Sequence, residues 1–437
     1  MLDKLKHLIA LDNPFRLLYH KIRAVLANIV YGFPSSDMTI IGVTGTNGKT
    51  TTCNIIAKGL IKAGEKVFMF STVNIIMGDQ EFINETKMTS PDVFELQRLL
   101  KMAKKQGIKT AIIETASHGI KMSRVRGINY DIVALTNITQ DHLDLHKTME
   151  DYVNTKLQIF KNLITYKRKP LVKKSAIVNI DSDYHSLFTN ETYDVLYRYG
   201  KAPESDLQII DIKEEQEYNT FKIKVGAKTL DIKTKLRGAF NAYNITASIG
   251  VFMCLNIKQD KILEIVKDIS PVAGRLEEVE NIEGFKIFID YAHTPDALEN
   301  TLGTINEIKG NGKIITVFGA TGDRDKTKRP IMGEIVSRLS DKVVLTQDDD
   351  YSEKTGEIIK DVLLGIERKE GEDFWIITDR EEAIRNAILQ AEAGDTILIA
   401  GKGDEHVMVT NAGAIPWHDK TKVQEILKAL DDNKIVN

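Results

Sequence analysis

Gly42-Val43-Thr44-Gly45-Thr46-Asn47-Gly48-Lys49-Thr50 sits between an apolar run and a helix-periodic run, and its reading decides the fold. Residues 38–43 (MTIIGV) have buried-strand character, and from Lys49 apolar side chains recur at helical spacing (Ile55, Ile56, Leu60) until Gly64. Glycines at such a turn let backbone N–H groups face an anion, and the helix N-terminus behind them favours negative charge. Gly45, Thr46, Asn47 and Gly48, with Thr51 beside them, are therefore expected to cradle the phosphates of ATP. Lys49 would reach the terminal phosphates and the Thr50 hydroxyl the accompanying magnesium. The spacing departs from the common GxxxxGK[ST] pattern, because five residues separate Gly42 from Gly48. A glycine-rich turn without function is the alternative, and strand, helix and GKT together oppose it.

Outward from this loop, 437 residues suffice for two or three domains with their own cores. Hydrophobic residues at 42% and charged residues at 28% are ordinary for a globular chain. A net charge of −3 gives no polyelectrolyte signal, so nucleic acid is not an expected partner. Cys53 and Cys254 are the two cysteines, which rules out a disulfide framework and a four-cysteine zinc ribbon within one chain and fits a cytoplasmic location. No apolar run reaches the length of a membrane span.

Residues 2–31 alternate apolar clusters with Lys4, Lys6, Arg16, Lys21 and Arg23 and read as one or two amphipathic helices interrupted near Pro14. Packing against the ATPase core is one reading; peripheral contact with a membrane surface through residues 1–30 is the other.

Residues 66–71, 109–114, 131–136 and 175–180 read as strands, with helices over 149–163 and from Ser90-Pro91 to Gly107. Residues 207–212, 220–225 and 229–235 alternate as an antiparallel patch, and helical periodicity resumes over 241–254. Pro271-Val-Ala-Gly-Arg275 reads as a hinge, after which strands at 285–290, 313–318, 342–346, 374–377 and 396–400 alternate with helices. The expected class is α/β: a central P-loop ATPase domain (35–270) with a mostly parallel sheet, a C-terminal Rossmann-like α/β domain (271–437), and an N-terminal helical segment (1–34). Polar clusters follow several strands: Glu114-Thr-Ala-Ser117-His118-Gly119, then Asn137 and Asp141-His142-Leu-Asp144. Such groups cap helices in most proteins, but at strand ends in one sheet they can also supply ligands to a magnesium nucleotide.

GVTGTNGKTT, ETASHGI, TNITQDHLDLH, DYVNTKLQIF, GAFNAYN, GRLEEVE, DYAHTPDALENTL, GATGDRDKTKRPIMG and GKGDEH occur in the order found in Mur ligases. Over residues 31–437 the chain most resembles the synthetases that add the third residue of the peptidoglycan stem, DYAHTPDAL and GDRDKTKRP being the discriminating motifs. The resemblance implies ATP-dependent amide bond formation through an acyl phosphate, catalysed by positioning and charge neutralisation. It implies two magnesium ions, one on Thr50 and Glu114, the second served by His142 and by Lys156 as a carbamate. Lys49, Lys156, His142 and Arg275 are the implied catalytic residues. Asn137, Asn241, Asn244, Arg275 and Asp290 are implied to meet ATP, with His293 in the same motif as Asp290. Thr89, Ser90, Ser117 and Arg124 would grip a muropeptide acceptor, and Arg324, Asp349, Gly401 and Glu405 would surround the incoming amino acid.

Two departures from the family pattern qualify the resemblance. Only about thirty residues precede Tyr31-Gly-Phe-Pro34, where the family's uridine-binding domain ends, so the expected chain lacks it. The acceptor then stays open among a smaller nucleotide fragment, a lipid-linked muropeptide and another peptide carboxylate. Diaminopimelate-adding enzymes carry Asp-Asn-Pro-Arg where this chain has Asp348-Asp349-Asp350-Tyr351, followed by Ser352-Glu353. That local charge points to an amino acid with a second ammonium, lysine or ornithine. A related amide ligase with a different acceptor and a nucleotide-binding subunit needing a partner are the competing classes. A monomer is expected.

Overall fold

The structure is a computed structural model that describes residues 13–436 apart from 87, 171, 216 and 217, with the backbone alone for 433–436. The expectation for residues 1–12 lies outside the described residues. The chain divides into two compact units, one running to Ile269 and the other from Ser270 onward, with Glu214–Glu217 grouped with the second.

The first unit is built on β1 (Thr39–Thr44), β2 (Val67–Phe70), β3 (Asn74–Met77), β4 (Gln80–Ile83), β5 (Thr110–Glu114), β6 (Ile132–Leu135), β7 (Ser175–Asn179), β8 (Val195–Gly200), β9 (Leu207–Glu214), β10 (Asn219–Val225) and β11 (Lys228–Thr234). They form one sheet in the order β11-β10-β9-β8-β7-β6-β1-β5-β2-β3-β4. The run from β2 to β9 is parallel, and hairpins close both ends. The central strands are apolar on both faces because helices cover both. Helices Lys49–Lys62 and Ala239–Cys254 contribute to one core with Ile55, Ile56, Ile245 and Phe252. Helices Val93–Lys105 and Met149–Thr165 build the other with Leu96, Leu100, Ile159 and Phe160.

Two local expectations are corrected. The helix expected from Ser90-Pro91 begins at Val93, capped by the Asp92 side chain, which accepts from the Phe94 amide at 3.0 Å. The hairpin β3–β4 was not expected from the sequence; with β4 exposed on its edge, its pattern was too polar to read as a strand. At the interruption expected near Pro14 a helix begins and runs Pro14–Tyr31, because proline is tolerated in a first turn and Asn13 caps it.

The second unit carries β12 (Glu277–Val279), β13 (Lys286–Asp290), β14 (Ile314–Phe318), β15 (Lys342–Leu345), β16 (Phe374–Ile376) and β17 (Thr396–Ala400), in the order β12-β13-β17-β14-β15-β16. All pairs are parallel except the edge pair β12–β13. A separate hairpin pairs Val407–Thr410 with Gly413–Pro416 and leads into helix Asp419–Val436.

Candidate active site

The phosphate loop leaves β1, and β1 is flanked in the sheet by β5 and β6. Glu114 ends β5 and Asn137 follows β6, so three adjacent strand ends deliver the expected groups to one place. Gly42 lies inside β1 and is not a loop glycine: a Cβ there would stand 2.6 Å from the Tyr130 ring. The working glycines are Gly45 and Gly48, at φ +148° and +81°. A Cβ on Gly45 would meet Thr136 Oγ1, and one on Gly48 would meet Asn244 Oδ1.

The loop is held from beneath. Asn137 Oδ1 accepts from the Asn47 amide at 2.8 Å, and Thr136 Oγ1 donates to the Asn47 carbonyl at 2.6 Å. Thr46 Oγ1 lies 2.9 Å from the Tyr152 hydroxyl. Lys49 Nζ donates to the Thr46 carbonyl at 2.6 Å, folded over the loop it is to serve. Thr51, the third residue of the helix, is buried. Asn244 Nδ2 donates to Asn241 Oδ1 at 2.9 Å, and Asn241 to the Arg237 carbonyl at 2.6 Å, so both asparagines pack beside the loop.

Glu114 is the junction of the site. Thr50 Oγ1 donates to its two oxygens at 3.1 and 3.0 Å, and Thr72 donates through its amide at 2.7 Å and its hydroxyl at 3.0 Å. A buried carboxylate beside a hydroxyl is a hard oxygen set that fits magnesium. Thr89 accepts from Thr72 at 2.9 Å, Arg124 donates to the Ser90 carbonyl at 2.8 Å, and the buried Ser117 Oγ has no hydrogen-bond partner among the described residues. Ser90 Oγ lies 3.5 Å from the Glu114 carbonyl, so this cluster follows the end of β5.

Lys156 is 1% exposed, donates from Nζ to the Gly45 carbonyl at 2.7 Å, and stands 4.5 Å from the Tyr152 ring centre. Burial drives its pKa well below the ordinary lysine value, Lys49 adds to the shift, and Asp141 opposes it. His142 adopts φ +58°, pairs with Asp141 at 3.2 Å and packs edge-on to His118, ring centres 4.5 Å apart. An imidazole and an amine do not suit a hard cation; the second magnesium fits only if Lys156 becomes a carboxylate.

In the second unit the Arg275 guanidinium lies over the Tyr291 ring at 4.3 Å, and Tyr291 donates to Glu405 at 3.4 Å. Asp290 is buried and accepts from the Leu276 and Ala292 amides at 2.6 and 2.8 Å and from Thr301 at 3.2 Å, so its oxygens already carry internal bonds. His293 Nδ1 lies 2.7 Å from the Tyr291 carbonyl.

The acidic stretch is less uniform than its sequence suggests. Asp349 Oδ1 accepts from the buried Lys402 ammonium and the Val409 amide, both at 2.7 Å. Glu353 holds Arg329 at 2.8 Å and Lys326 at 2.7 Å, and these contacts bring its pKa down to about 2. Asp350 accepts from the Thr355 hydroxyl at 2.8 Å, a side-chain bond and not a helix cap, since helix Thr355–Leu363 has no side-chain cap. Asp348 differs: buried, with Oδ1 on the Asp349 amide at 2.6 Å and Oδ2 without a hydrogen-bond partner among the described residues. A Cβ on Gly401 would strike that oxygen. Arg324 lies over the Tyr351 ring at 4.9 Å.

Thr72 was not anticipated as a site residue: it lies in none of the quoted motifs, and only the sheet brings it to Glu114. Thr136, Asp141 and Tyr152 lie inside TNITQDHLDLH and DYVNTKLQIF, but the contacts of Thr136 with Asn47 and of Tyr152 with Thr46 are visible only in the fold.

The family model described as Mur ligase middle domain matches residues 43–252, and that described as Mur ligase, glutamate ligase domain matches 274–403. A UDP-N-acetylmuramoyl-L-alanyl-D-glutamate–2,6-diaminopimelate ligase of Bacillus cereus is 34% identical over 98% of this chain and 84% of its own length. The enzyme of the same name from Clostridium botulinum is 36% identical over 94% of this chain and 82% of its own. A solved diaminopimelate ligase superposes with a TM-score of 0.60 at 29% identity, covering 90% of this chain and 79% of that one. MurF of Thermotoga maritima in complex with ADP superposes at 0.68 with 20% identity, over 94% and 84% of the two chains, which speaks for the fold alone.

Proposed function

The chain belongs to the Mur ligase family, and from that premise we propose residue roles, an amino acid and a mode of acceptor delivery. As a member it is an ATP-dependent, ADP-forming ligase of peptidoglycan synthesis that adds a residue to a muramoyl-peptide. The proposal places the reaction in the cytoplasm, with a monomeric chain divided at 35–270 and 271–437.

In the proposed mechanism the amides of Gly45 to Thr50 and the Lys49 ammonium orient the ATP phosphates. Asn241, Asn244, Arg275 and Asp290 complete nucleotide contact. Thr50 and Glu114 would hold one magnesium and His142, with Lys156 as a carbamate, the other; bound magnesium would supply positive charge against the phosphate oxygens. The acceptor carboxylate, gripped by Thr89, Ser90, Ser117 and Arg124, takes the γ-phosphoryl group. The incoming amine then displaces phosphate, giving the amide, ADP and phosphate. No protein nucleophile is needed, so the residues act by positioning and charge.

The incoming amino acid is proposed to be lysine or ornithine. The observation that supports it is the buried Asp348 carboxylate, one oxygen of which has no hydrogen-bond partner among the described residues and would be struck by a Cβ on Gly401. Lys326 and Arg329 are held by Glu353, so neither is free to bind a second carboxylate. Diaminopimelate is the second reading, favoured by the names of the relatives and by Arg324 over Tyr351. Competition among lysine, ornithine, diaminopimelate, alanine and glutamate, read by phosphate release and mass spectrometry of the product, decides it. Preference for diaminopimelate would overturn the lysine reading.

Helix Pro14–Tyr31 is proposed to touch a membrane surface and bring the enzyme to a lipid-linked acceptor. Phe15, Leu18, Ile22, Val25, Leu26, Ile29 and Val30 are exposed along one stripe, the helix holds no acidic residue, and Arg16 and Lys21 flank the stripe on opposite edges.

A further inference from the structure

Within the second unit, the hairpin of Val407–Thr410 and Gly413–Pro416 brings its two ends together. Val407 pairs with Pro416, and the Trp417 amide donates to the His406 carbonyl at 3.0 Å. His406 entering the hairpin and His418 leaving it therefore lie side by side, ring centres 4.3 Å apart and planes 17° from parallel. Gly403, at φ +53°, turns the chain so that Asp404 approaches the same point; a Cβ there would stand 2.8 Å from the Gly274 carbonyl. Asp404 Oδ1 is 3.1 Å from His418 Nε2 and 3.9 Å from His406 Nε2.

We propose that Asp404, His406 and His418 form a binding site for one divalent transition-metal ion of the zinc class. The three donor atoms lie within 4.8 Å of one another. An ion with bonds of about 2.0–2.2 Å places neighbouring donors roughly 3–3.5 Å apart, so small side-chain rotations close the triangle. His418 Nδ1 lies 2.8 Å from Thr421 Oγ1, a second partner that fixes the ring with Nε2 inward, as ligating histidines require. Two imidazoles and one carboxylate favour zinc, cobalt or nickel over magnesium. Three protein donors leave a position for water.

The surrounding charge permits a dication. Lys402 is held by Asp349 and Glu405, Lys420 by Glu277, and Lys422 by Glu381 and Glu425, so each neighbouring ammonium faces a carboxylate. A bound ion would clasp the 401–406 loop to the start of helix Asp419–Val436. The competing account is a plain hydrogen bond between His418 and Asp404 with no ion.

The test is a titration of the metal-free full chain, without ATP and in excess magnesium, with cobalt followed by zinc. Cobalt d–d absorption and calorimetry are the readouts. One equivalent of cobalt displaced by zinc is expected, lost in His418→Ala and in His406→Gln and weakened in Asp404→Asn. His406 is exposed, so His406→Gln serves as the variant that keeps the fold, checked by far-UV circular dichroism and retained ATP binding. Absence of binding in the parent chain, or an equivalent that survives in the double His406→Gln/His418→Ala variant, overturns the site.

Discussion

Lys156 concentrates the chemistry of the first unit in one amine. A buried amine with a lowered pKa is uncharged more often than a solvated lysine, and an uncharged amine is the form that attacks carbon dioxide. Lys156→Ala is expected to lose nearly all turnover, with partial recovery in added short-chain carboxylates that fill the vacated space. Steady-state phosphate release with and without acetate checks this, and full activity in the variant would refute the carbamate role. Glu353 makes a different prediction. Its folded pKa of about 2 lies below the ordinary 4.5, so its stabilisation is complete above pH 4.5 and is lost as pH falls toward 2. Glu353→Gln leaves the fully buried Arg329 with Asp361 as its carboxylate and the Thr321 carbonyl beside it, and is expected to cost about 1–3 kcal/mol at neutral pH. Urea midpoints from pH 7 to 3 should show that gap narrowing with acid; a constant gap would contradict the depressed pKa.

Among the elements, the loop after β1 combines a conformational and a steric demand at Gly48. An alanine there must hold φ +81°, costing about 1–2 kcal/mol, while its methyl displaces the Asn244 side chain beside the loop. Gly48→Ala is therefore expected to weaken ATP binding by at least about tenfold, from the same strain converted to affinity, while the chain stays folded. Calorimetric ATP titration alongside a thermal melt separates the two effects, and unchanged affinity would mean the loop is not the phosphate cradle. The 401–406 loop depends on an element junction instead. Arg380 and Asp419, both fully buried, pair at 2.9 and 2.7 Å, with Arg380 also on the Ala400 carbonyl at 3.0 Å and Trp417 on Asp419 at 2.8 Å. With both charges fully hydrogen-bonded, the pair fixes the start of the last helix against the end of β17.

On the scale of the whole molecule, the exposed stripe of helix Pro14–Tyr31 asks for a cover. Its other face, with Ala24 and Ala27, packs on Val93, and Arg23 pairs with Asp92 at 2.8 Å, so the helix is docked and its apolar side faces outward. The chain is expected to sediment with phosphatidylglycerol-containing vesicles at low salt and to detach at high salt, and Leu18→Glu/Ile22→Glu should abolish this. A dimer that the same substitutions dissociate, without vesicle binding, would assign the stripe to a second copy. The sequence alone determined the parallel α/β series, because runs such as residues 38–43 and 396–400 are apolar on both faces and the segments between them are helix-periodic. The proposed phosphate loop was legible too, since it rests on the positive φ of Gly45 and Gly48 and on the local position of Lys49 and Thr50. Only the tertiary structure decided how the acids are paired. Asp348, Asp349, Asp350 and Glu353 read as one charge run, yet Lys402 and Arg329 engage Asp349 and Glu353 from distant segments, Thr355 engages Asp350 from the next turn, and a buried Asp348 oxygen has no hydrogen-bond partner among the described residues. Strand order brought Thr72 to Glu114 and Tyr152 to Thr46, and hairpin closure set His406 against His418. Local patterns follow from spacing within a few residues; charge pairing and site assembly depend on contacts between segments far apart in the chain, which periodicity does not encode.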